Sequence, residues 1–289
     1  PPSDILPRTY SGHFLLQLFQ KQIMRAIMLA AGRGIRLHGA HPPKILLEFG
    51  GKSLLARHIE TLQLYGITQL SLGVGYHRAK IDREIAFLGA EEFVKPTHNK
   101  DFNEGTSITL WKMRDQLCCG KPVLLMDADV LYDDRILGCL LDSGHENCLL
   151  LDRDFTPGEE PVKVAVRNDV IVDFGKKIGT GFDFCGESVG FFWLSACMVE
   201  AIIARIQSYL EQGHRDIPYE DAIRAVMGAP SGNGFSFEDI TGLPWIEIDF
   251  ADDIEQARNV ILPRIRKKLG KVLRVGAGRQ SITSSQSNQ

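Results

Sequence analysis

The chain has 289 residues, of which 44% are hydrophobic and 24% are charged, and its formal net charge is −3. These values are typical of a folded globular protein and exclude global disorder, a fibrous repeat and a small disulfide-stapled scaffold. A charge so close to neutral gives no electrostatic case for nucleic-acid binding, and no apolar run approaches the roughly 20 residues of a membrane span.

Both ends of the chain differ in composition from the middle. Residues 1–23 hold one short apolar stretch and are predicted to form a peripheral N-terminal extension. Residues 263–289 are basic, contain no acid from Arg264 onwards and end in a low-complexity run, which indicates a solvated C-terminal tail. We therefore expect the folded core to cover 24–262.

Cysteine usage indicates the redox environment. The chain has six cysteines, and none of them forms a Cys-x-x-Cys pair. No export signal opens the chain, so we expect reduced thiols and a cytoplasmic location.

Short apolar runs alternate with helical periods in the first half of the core. The predicted strands cover 26–29, 70–74 and 123–126, and the predicted helices cover 53–65, 81–88 and 107–117. This order indicates right-handed βαβ units and a parallel sheet. Ligands of such sheets bind outside the carboxyl ends of the strands.

Strand-like runs separated by turn residues dominate the second half. The predicted strands cover 149–151, 162–166, 170–173, 189–194 and 245–250, and the predicted helices cover 199–212, 221–227 and 254–262. Hairpin-like spacing adds an antiparallel part. We therefore predict an α/β fold with a mostly parallel mixed sheet and a small antiparallel part.

A glycine-rich turn follows the first predicted strand. The turn and the end of the strand consist of Leu29, Ala30, Ala31, Gly32, Arg33 and Gly34. Glycines let backbone N–H groups approach a phosphate, and Arg36 and Lys44 add positive charge. Leu37 stands where a Rossmann fingerprint needs its third glycine, and Leu46 stands where a Walker A loop needs its first. We predict a polyanion site of another kind, with a solvated surface turn as the alternative.

Two aspartates follow the strand 123–126. Asp127 and Asp129 are two residues apart, so on an extended chain both carboxylates point the same way. Hard oxygen ligands of this kind suit Mg²⁺ bound together with a substrate phosphate. The alternative is one capping and one surface aspartate.

A second acid pair lies in the last predicted strand. Glu247 and Asp249 alternate with apolar neighbours and share one face. Two acids on an inner face repel each other unless a metal or basic groups neutralise them. An edge strand with its acids in water is the alternative.

Together these three features fit Mg²⁺-dependent nucleotidyl transfer. This reaction places negative charge on the α-phosphate and on the departing pyrophosphate, where fixed cations and backbone donors supply most of the rate. It needs no side-chain nucleophile, and no Gly-x-Ser-x-Gly elbow is present in the chain.

The stretch from Leu29 to Lys44 resembles the signature of the nucleoside-triphosphate transferases that activate sugar-1-phosphates and related phosphoesters. The resemblance extends to Val74-Gly75-Tyr76, to the segments 99–107 and 126–129, and to 247–249. Within that family the chain is most similar to CTP:phosphocholine and 2-aminoethylphosphonate cytidylyltransferase-like enzymes. The resemblance implies a Rossmann-like three-layer sandwich, a magnesium cofactor, and CTP and a small phospho- or phosphono-compound as substrates.

The resemblance also implies roles for individual residues. Arg36 and the glycine turn hold the triphosphate, and Lys44 contacts the α-phosphate. Asp129 and Asp249 bind Mg²⁺ with Glu247 beside them, and Asp127 is the weaker ligand candidate. The residues implied to border the base and ribose are Gly75, Tyr76, Asn99 and Ser107.

The acceptor site is the least determined part. An ammonium group favours aromatic faces and a carboxylate, and Glu187, Trp193, Tyr219 and Asp221 are the candidate acceptor-binding residues. A polyol phosphate would instead need hydroxyl-binding side chains. The aromatic residues also fit plain core packing.

Other functions stay open from the sequence. An inositol-1-phosphate or sugar-1-phosphate nucleotidyltransferase keeps the chemistry and changes the acceptor. A glycosyltransferase also uses an Asp-x-Asp pair, although a sugar donor has no γ-phosphate for so basic a turn. A non-catalytic nucleotide-binding module keeps only the fold. We expect neither nucleic acid nor stable membrane insertion, and a homodimer is one assembly that the sequence leaves open.

Overall fold

The architecture is that of a mixed sheet with helices on both faces. It comes from a computed structural model that describes residues 24–37, 41–228 and 234–265. The strands are β1 (Arg25–Ala30), β2 (Gln69–Val74), β3 (Val94–His98), β4 (Val123–Asp127), β5 (Val130–Tyr132), β6 (Cys148–Asp152), β7 (Lys163–Arg167), β8 (Val170–Gly175), β9 (Phe184–Leu194), β10 (Ser236–Asp239) and β11 (Trp245–Glu247). The helices are α1 (Leu54–Leu64), α2 (Arg78–Phe87), α3 (Thr106–Lys112), α4 (Arg114–Leu117), α5 (Asp134–Asp142), α6 (Ala196–Glu211), α7 (Tyr219–Met227) and α8 (Ala251–Gln256).

The central sheet has the strand order β10-β6-β9-β4-β1-β2-β3. Strands β4, β1, β2 and β3 run parallel, as their βαβ connections require. The long strand β9 enters antiparallel between β4 and β6, and its first half pairs with the hairpin β7–β8. The predicted α/β class, the mostly parallel central sheet and the small antiparallel part are confirmed.

Alternate residues of the inner strands point into two separate cores, which gives three layers. Ala26 and Met28 of β1 belong to one apolar cluster, packed against α1, α2 and α5. Ile27 points the other way into a second cluster with α3, α6 and α7. Because both faces are covered, these strands are buried apolar runs rather than alternating ones.

A small second sheet joins two distant parts of the chain. Strand β11 pairs antiparallel with β5, and Glu247 lies opposite Val130. The N–H of Ile248 then donates to the carbonyl of Asp129 at 2.9 Å. This pairing brings the acids that follow β4 next to the acids that follow β11.

Several element boundaries differ from the predicted ones. The helix expected over 107–117 is divided into α3 and α4 at Met113, which is buried and has φ −98°. The strand expected over 245–250 ends at Glu247, because Asp253 accepts the N–H groups of Asp249 and Phe250 at the start of α8. The last helix begins at Ala251 and widens to a π-helical turn over Ala257–Ile261.

The proposed chain ends fall largely outside the described residues. The predicted extension 1–23 and residues 266–289 of the predicted tail lie there, so the domain boundaries stay predictions. Within the described ranges, no helix combines the length and the apolar character needed to cross a bilayer.

Candidate active site

A cleft of about 440 Å³ opens at the carboxyl ends of β1 and β4. Leu29, Ala30, Ala31, Gly32 and Gly34 line it along the glycine turn, by which we mean residues 29–34. Gly34 has φ +61°, and a Cβ at this position would lie 3.1 Å from the side chain of Lys44. The turn therefore needs glycine both for its left-handed backbone and for the close passage of the lysine.

Lys44 reaches the centre of the cleft from a short 3₁₀ turn over Lys44–Leu46. Its Nζ donates to Asp129 Oδ2 at 2.9 Å and to Asp249 Oδ1 at 2.7 Å. The lysine side chain is only 14% exposed. Burial alone would lower the pKa of Lys44, but the two carboxylates more than reverse this effect and hold the pKa above its ordinary value. The ammonium is thus charged at every pH at which the protein works.

Three carboxylates meet beside Lys44. Asp129, Glu247 and Asp249 each offer an oxygen, and these oxygens lie within 4.8 Å of one another. We call this group the carboxylate cluster. Burial raises the pKa of Glu247 well above its ordinary value, and the charges of Asp129 and Asp249 raise it further. Hard oxygen donors in such numbers fit a divalent cation, which would remove the repulsion that these charges exert on each other.

Asp127 has a different environment from Asp129. Its Oδ2 accepts a hydrogen bond from the Tyr219 hydroxyl at 2.9 Å. Gly190 packs against the same carboxylate with φ +77°, and a methyl group added there would overlap Asp127 Oδ2. Burial raises the pKa of Asp127, and the charges of Glu220 and Asp129 add to this shift. Asp127 lines the cleft, but Glu247 is the residue that completes the cluster with Asp129 and Asp249.

A buried histidine fixes the backbone between the two aspartates. His58 of α1 has no exposed surface, and its Nε2 lies 3.0 Å from the carbonyl oxygen of Ala128. Burial lowers the pKa of His58 to about 4, so the ring is neutral and Nε2–H is the donor. No sequence motif marks this residue, since its role depends on the packing of α1 beside β4.

The residues expected around the base lie just behind the cleft lining. The N–H of Tyr76 donates to the carbonyl of Ala31 at 3.0 Å, and Arg33 stacks on the Tyr76 ring at 5.8 Å. Asn99 is buried, and its side chain donates to Thr109 and accepts from the N–H of Asp101. Ser107 is buried in α3. These side chains and Gly75 support the residues of this end that face the cleft, which are Phe102, Gly105, Thr106 and Thr109.

The four acceptor candidates do not lie together. Tyr219 lines the cleft, whereas Asp221 is exposed on α7 outside its lining. Trp193 is paired with Leu124 within the sheet and packs against the core. Glu187 faces a neighbouring cleft of about 290 Å³ with Trp245. Burial raises the pKa of Glu187 to about 7, and the charge of Asp152 adds to this shift.

A second wall of the cleft was not anticipated as a unit. It consists of Glu160, Val162, Lys176, Ser188 and Glu220. Glu220, not Asp221, turns toward the cleft, and its buried Oε2 has no hydrogen-bond partner within the described residues. The rotation of α7 decides this choice, and no local pattern reveals it. Lys176 follows a predicted strand, which is the one sequence signal that could have indicated it.

Comparison with known proteins agrees with this geometry. Residues 26–159 match the family model of the MobA-like NTP transferase domain. CTP:phosphoglutamine cytidylyltransferase of Campylobacter jejuni is 25% identical over 80% of this chain and 98% of its own. CMP-5'-(3-aminopropyl)phosphonate synthase of Streptomyces rubellomurinus is 25% identical over 90% of this chain, which spans only 42% of that relative.

Solved structures share the fold at low sequence identity. The inositol-1-phosphate CTP transferase of T. maritima has a TM-score of 0.67 at 21% identity over 86% of this chain and 99% of its own. CTP:phosphocholine cytidylyltransferase of Streptococcus pneumoniae has a TM-score of 0.64 at 20% identity over 87% of this chain and 99% of its own. The chain therefore carries a MobA-like NTP transferase domain with a Rossmann-like fold, and it is a nucleotidyltransferase.

Proposed function

We propose that the protein is a cytidylyltransferase, which joins CMP from CTP to a small phosphorylated or phosphonylated alcohol or amine. The observation that carries this proposal is the position of Lys44 Nζ between Asp129 and Asp249, in a cleft bordered by the glycine turn. A fixed cation beside metal-binding carboxylates and backbone N–H groups is the equipment that nucleotidyl transfer requires. The choice of CTP is supported by the names of the relatives that match most of the chain.

The chemistry follows from these groups. A phosphoryl or phosphonyl oxygen of the acceptor forms a bond to the α-phosphorus of CTP, and the bond from that phosphorus to the bridging oxygen of pyrophosphate breaks. The attacking oxygen is already ionised, so the protein need not remove a proton. Lys44 would stabilise the negative charge on the α-phosphate oxygens, and N–H groups of the glycine turn would hold the outer phosphates.

We also propose that the carboxylate cluster holds Mg²⁺. Asp129, Glu247 and Asp249 are the residues that would bind it, and their donor chemistry fits a hard divalent cation. Bound Mg²⁺ would neutralise charge on the triphosphate oxygens. His58 and the β5–β11 pair hold these carboxylates in place from behind.

The acceptor is proposed to carry a cationic amine, as in phosphocholine or 2-aminoethylphosphonate. The support is Glu220, whose buried and unpartnered Oε2 belongs to a residue that lines the same cleft as the carboxylate cluster. Burial raises the pKa of Glu220 to about 7. An ammonium group placed beside this carboxylate would give it the partner that the protein itself does not supply.

Pyrophosphate release tests the proposal directly. The protein is incubated with each of the four nucleoside triphosphates and with phosphocholine, 2-aminoethylphosphonate, inositol-1-phosphate or glucose-1-phosphate, with and without Mg²⁺. We expect release with CTP and an amine-bearing acceptor, and only when Mg²⁺ is present. Release from no pair would contradict the proposal, as would equal release without the metal. Preference for inositol-1-phosphate or glucose-1-phosphate would keep the reaction but remove the role of Glu220.

A further inference from the structure

Three charged side chains join the glycine-turn side of the cleft to its second wall. Arg36 follows the glycine turn, Glu160 lies in the segment between β6 and β7, and Lys176 follows β8. All three line the cleft. We call them the Arg36–Glu160–Lys176 bridge.

Both cations of the bridge donate to the same atom. Arg36 Nη1 contacts Glu160 Oε2, and Lys176 Nζ donates to that oxygen at 2.7 Å. Arg36 also donates through Nη2 to Asp249 Oδ1 at 2.8 Å, so the bridge adjoins the carboxylate cluster. One oxygen that receives an arginine and a lysine from separate chain segments marks a position built for an anion.

The bridge is easy to open. Its side chains are 37% exposed for Arg36, 47% for Glu160 and 48% for Lys176. Ion pairs this exposed contribute little to stability, because water and salt screen them. Glu160 itself lies on a segment without regular secondary structure, so its side chain can turn out to solvent without breaking a strand or helix.

We propose that Arg36 and Lys176 form a binding subsite for the phosphoryl or phosphonyl group of the acceptor, and that Glu160 occupies this subsite as an internal competitor. The acceptor displaces Glu160 when it binds, and the two cations pass from the carboxylate to the substrate. The subsite therefore selects for substrates with a dianionic end group, while Glu160 weakens binding of anything that cannot displace it. The identity of the anion as acceptor rests on the proposed function.

The location of Lys176 favours the acceptor over the triphosphate as the source of this anion. Lys176 belongs to the second wall with Ser188 and Glu220, whereas the glycine turn lines the cleft with N–H groups of its own. Lys44, which we assign to the α-phosphate, contacts Asp129 and Asp249 and not Glu160. The subsite thus lies next to the reacting position on the side from which the attacking oxygen would come.

Binding of inorganic phosphate without metal tests the subsite independently of any turnover. Calorimetry compares wild type with Lys176→Met and Glu160→Gln. The matched controls are Lys177→Met and Glu159→Gln, since both neighbours are exposed and lie outside the cleft lining. We expect Lys176→Met to weaken phosphate binding about tenfold, as for the loss of one charge-assisted hydrogen bond, and Glu160→Gln to strengthen it several-fold.

Steady-state kinetics then decides which substrate uses the subsite. We expect Lys176→Met to raise the KM of the acceptor and Glu160→Gln to lower it, with the KM of CTP unchanged in both. A change confined to CTP would overturn the assignment to the acceptor. Equal phosphate affinity of Lys176→Met and Lys177→Met, or of Glu160→Gln and Glu159→Gln, would overturn the subsite itself, whether or not the protein proves to be a cytidylyltransferase.

Discussion

The carboxylate cluster and the second wall belong to one cleft but partner their charges in opposite ways. Lys44 is held between Asp129 and Asp249, and these side chains are at most 22% exposed. On the second wall, Glu160 and Lys176 form an exposed pair, and Glu220 has an oxygen without a partner. Buried pairs depend on a fixed geometry, whereas exposed pairs exchange partners at little cost. The difference suggests that the first region serves the reaction and the second serves the choice of acceptor.

The backbone supports the two regions to different degrees. The cluster is anchored from three sides, by the β5–β11 pair, by the Ile248–Asp129 hydrogen bond and by His58 on Ala128. Glu160 comes from an irregular segment and Lys176 from the residue just after β8. Substitutions in the first region should therefore affect turnover, and those in the second should affect acceptor binding.

The largest effect is expected for Lys44→Met. Loss of the ammonium removes the group that stabilises charge on the α-phosphate, so turnover should fall on the order of 10²–10³-fold. Rapid-quench measurement of pyrophosphate release gives the rate of the chemical step. The control is Lys52→Met, because Lys52 is exposed and pairs with Glu60 away from the cleft. A Lys44→Met rate within threefold of wild type would break the comparison.

The next effect is expected for Asp249→Asn. This change removes one carboxylate charge from the proposed metal ligands, so half-maximal activity should require roughly tenfold to 100-fold more Mg²⁺. A titration of activity against Mg²⁺ measures it. Asp252→Asn, an exposed change in the first turn of α8, serves as control. An unaltered Mg²⁺ requirement in Asp249→Asn would exclude this residue as a ligand.

A smaller effect on stability is expected for Gly190→Ala. The added methyl group overlaps Asp127 and forces alanine to adopt φ +77°. Overpacking typically costs about 1–3 kcal/mol, and the left-handed backbone adds about 1 kcal/mol. Gly213→Ala separates these terms, since Gly213 has φ +82° and no atom within 4 Å of an added Cβ. Urea denaturation should show the larger loss for Gly190→Ala, and equal losses would mean that Asp127 is free to move.

The smallest effect is expected in the pH dependence of Glu220→Gln. The pKa of Glu220 is raised from 4.5 to about 7, so the folded state holds this proton more tightly than the unfolded state does. The stability that this provides is complete below pH 4.5 and is lost as the pH rises through 7. Glutamine is neutral throughout, so the variant should gain on wild type over this window, by about 2 kcal/mol.

Denaturation at pH 4.5, 6 and 8 measures this difference. Asp221→Asn is the matched control, because Asp221 is the exposed neighbour outside the cleft. Its difference from wild type should stay flat over the same range. A flat profile for Glu220→Gln as well would mean that Glu220 already has a cationic or hydrogen-bonding partner in solution.

The same two regions show what sequence could and could not anticipate. The pattern of apolar runs was enough for the α/β class and the parallel strands, because buried strands leave a local signal. The Asp-x-Asp and Glu-x-Asp spacings were enough to select Asp129, Glu247 and Asp249. Their meeting depends on the pairing of β5 with β11, and β5 is only three residues long, too short to leave a pattern of its own.

The second wall had no comparable signal. Asp221 was the expected acceptor residue, yet α7 is oriented so that Glu220 faces the cleft. Trp193 was expected to bind the acceptor, but β9 turns it toward the core. Glu160 pairs with Arg36 across 124 positions of sequence. Helix rotation, strand register and long-range pairing are tertiary properties, and a single sequence constrains them weakly.

A crystal structure with CTP and Mg²⁺ tests the central claim most directly. The account predicts one metal bound by Asp129 and Asp249, the triphosphate along the glycine turn, and Lys44 Nζ within hydrogen-bond distance of an α-phosphate oxygen. A triphosphate bound away from the glycine turn, or a metal with no ligand from the carboxylate cluster, would contradict it.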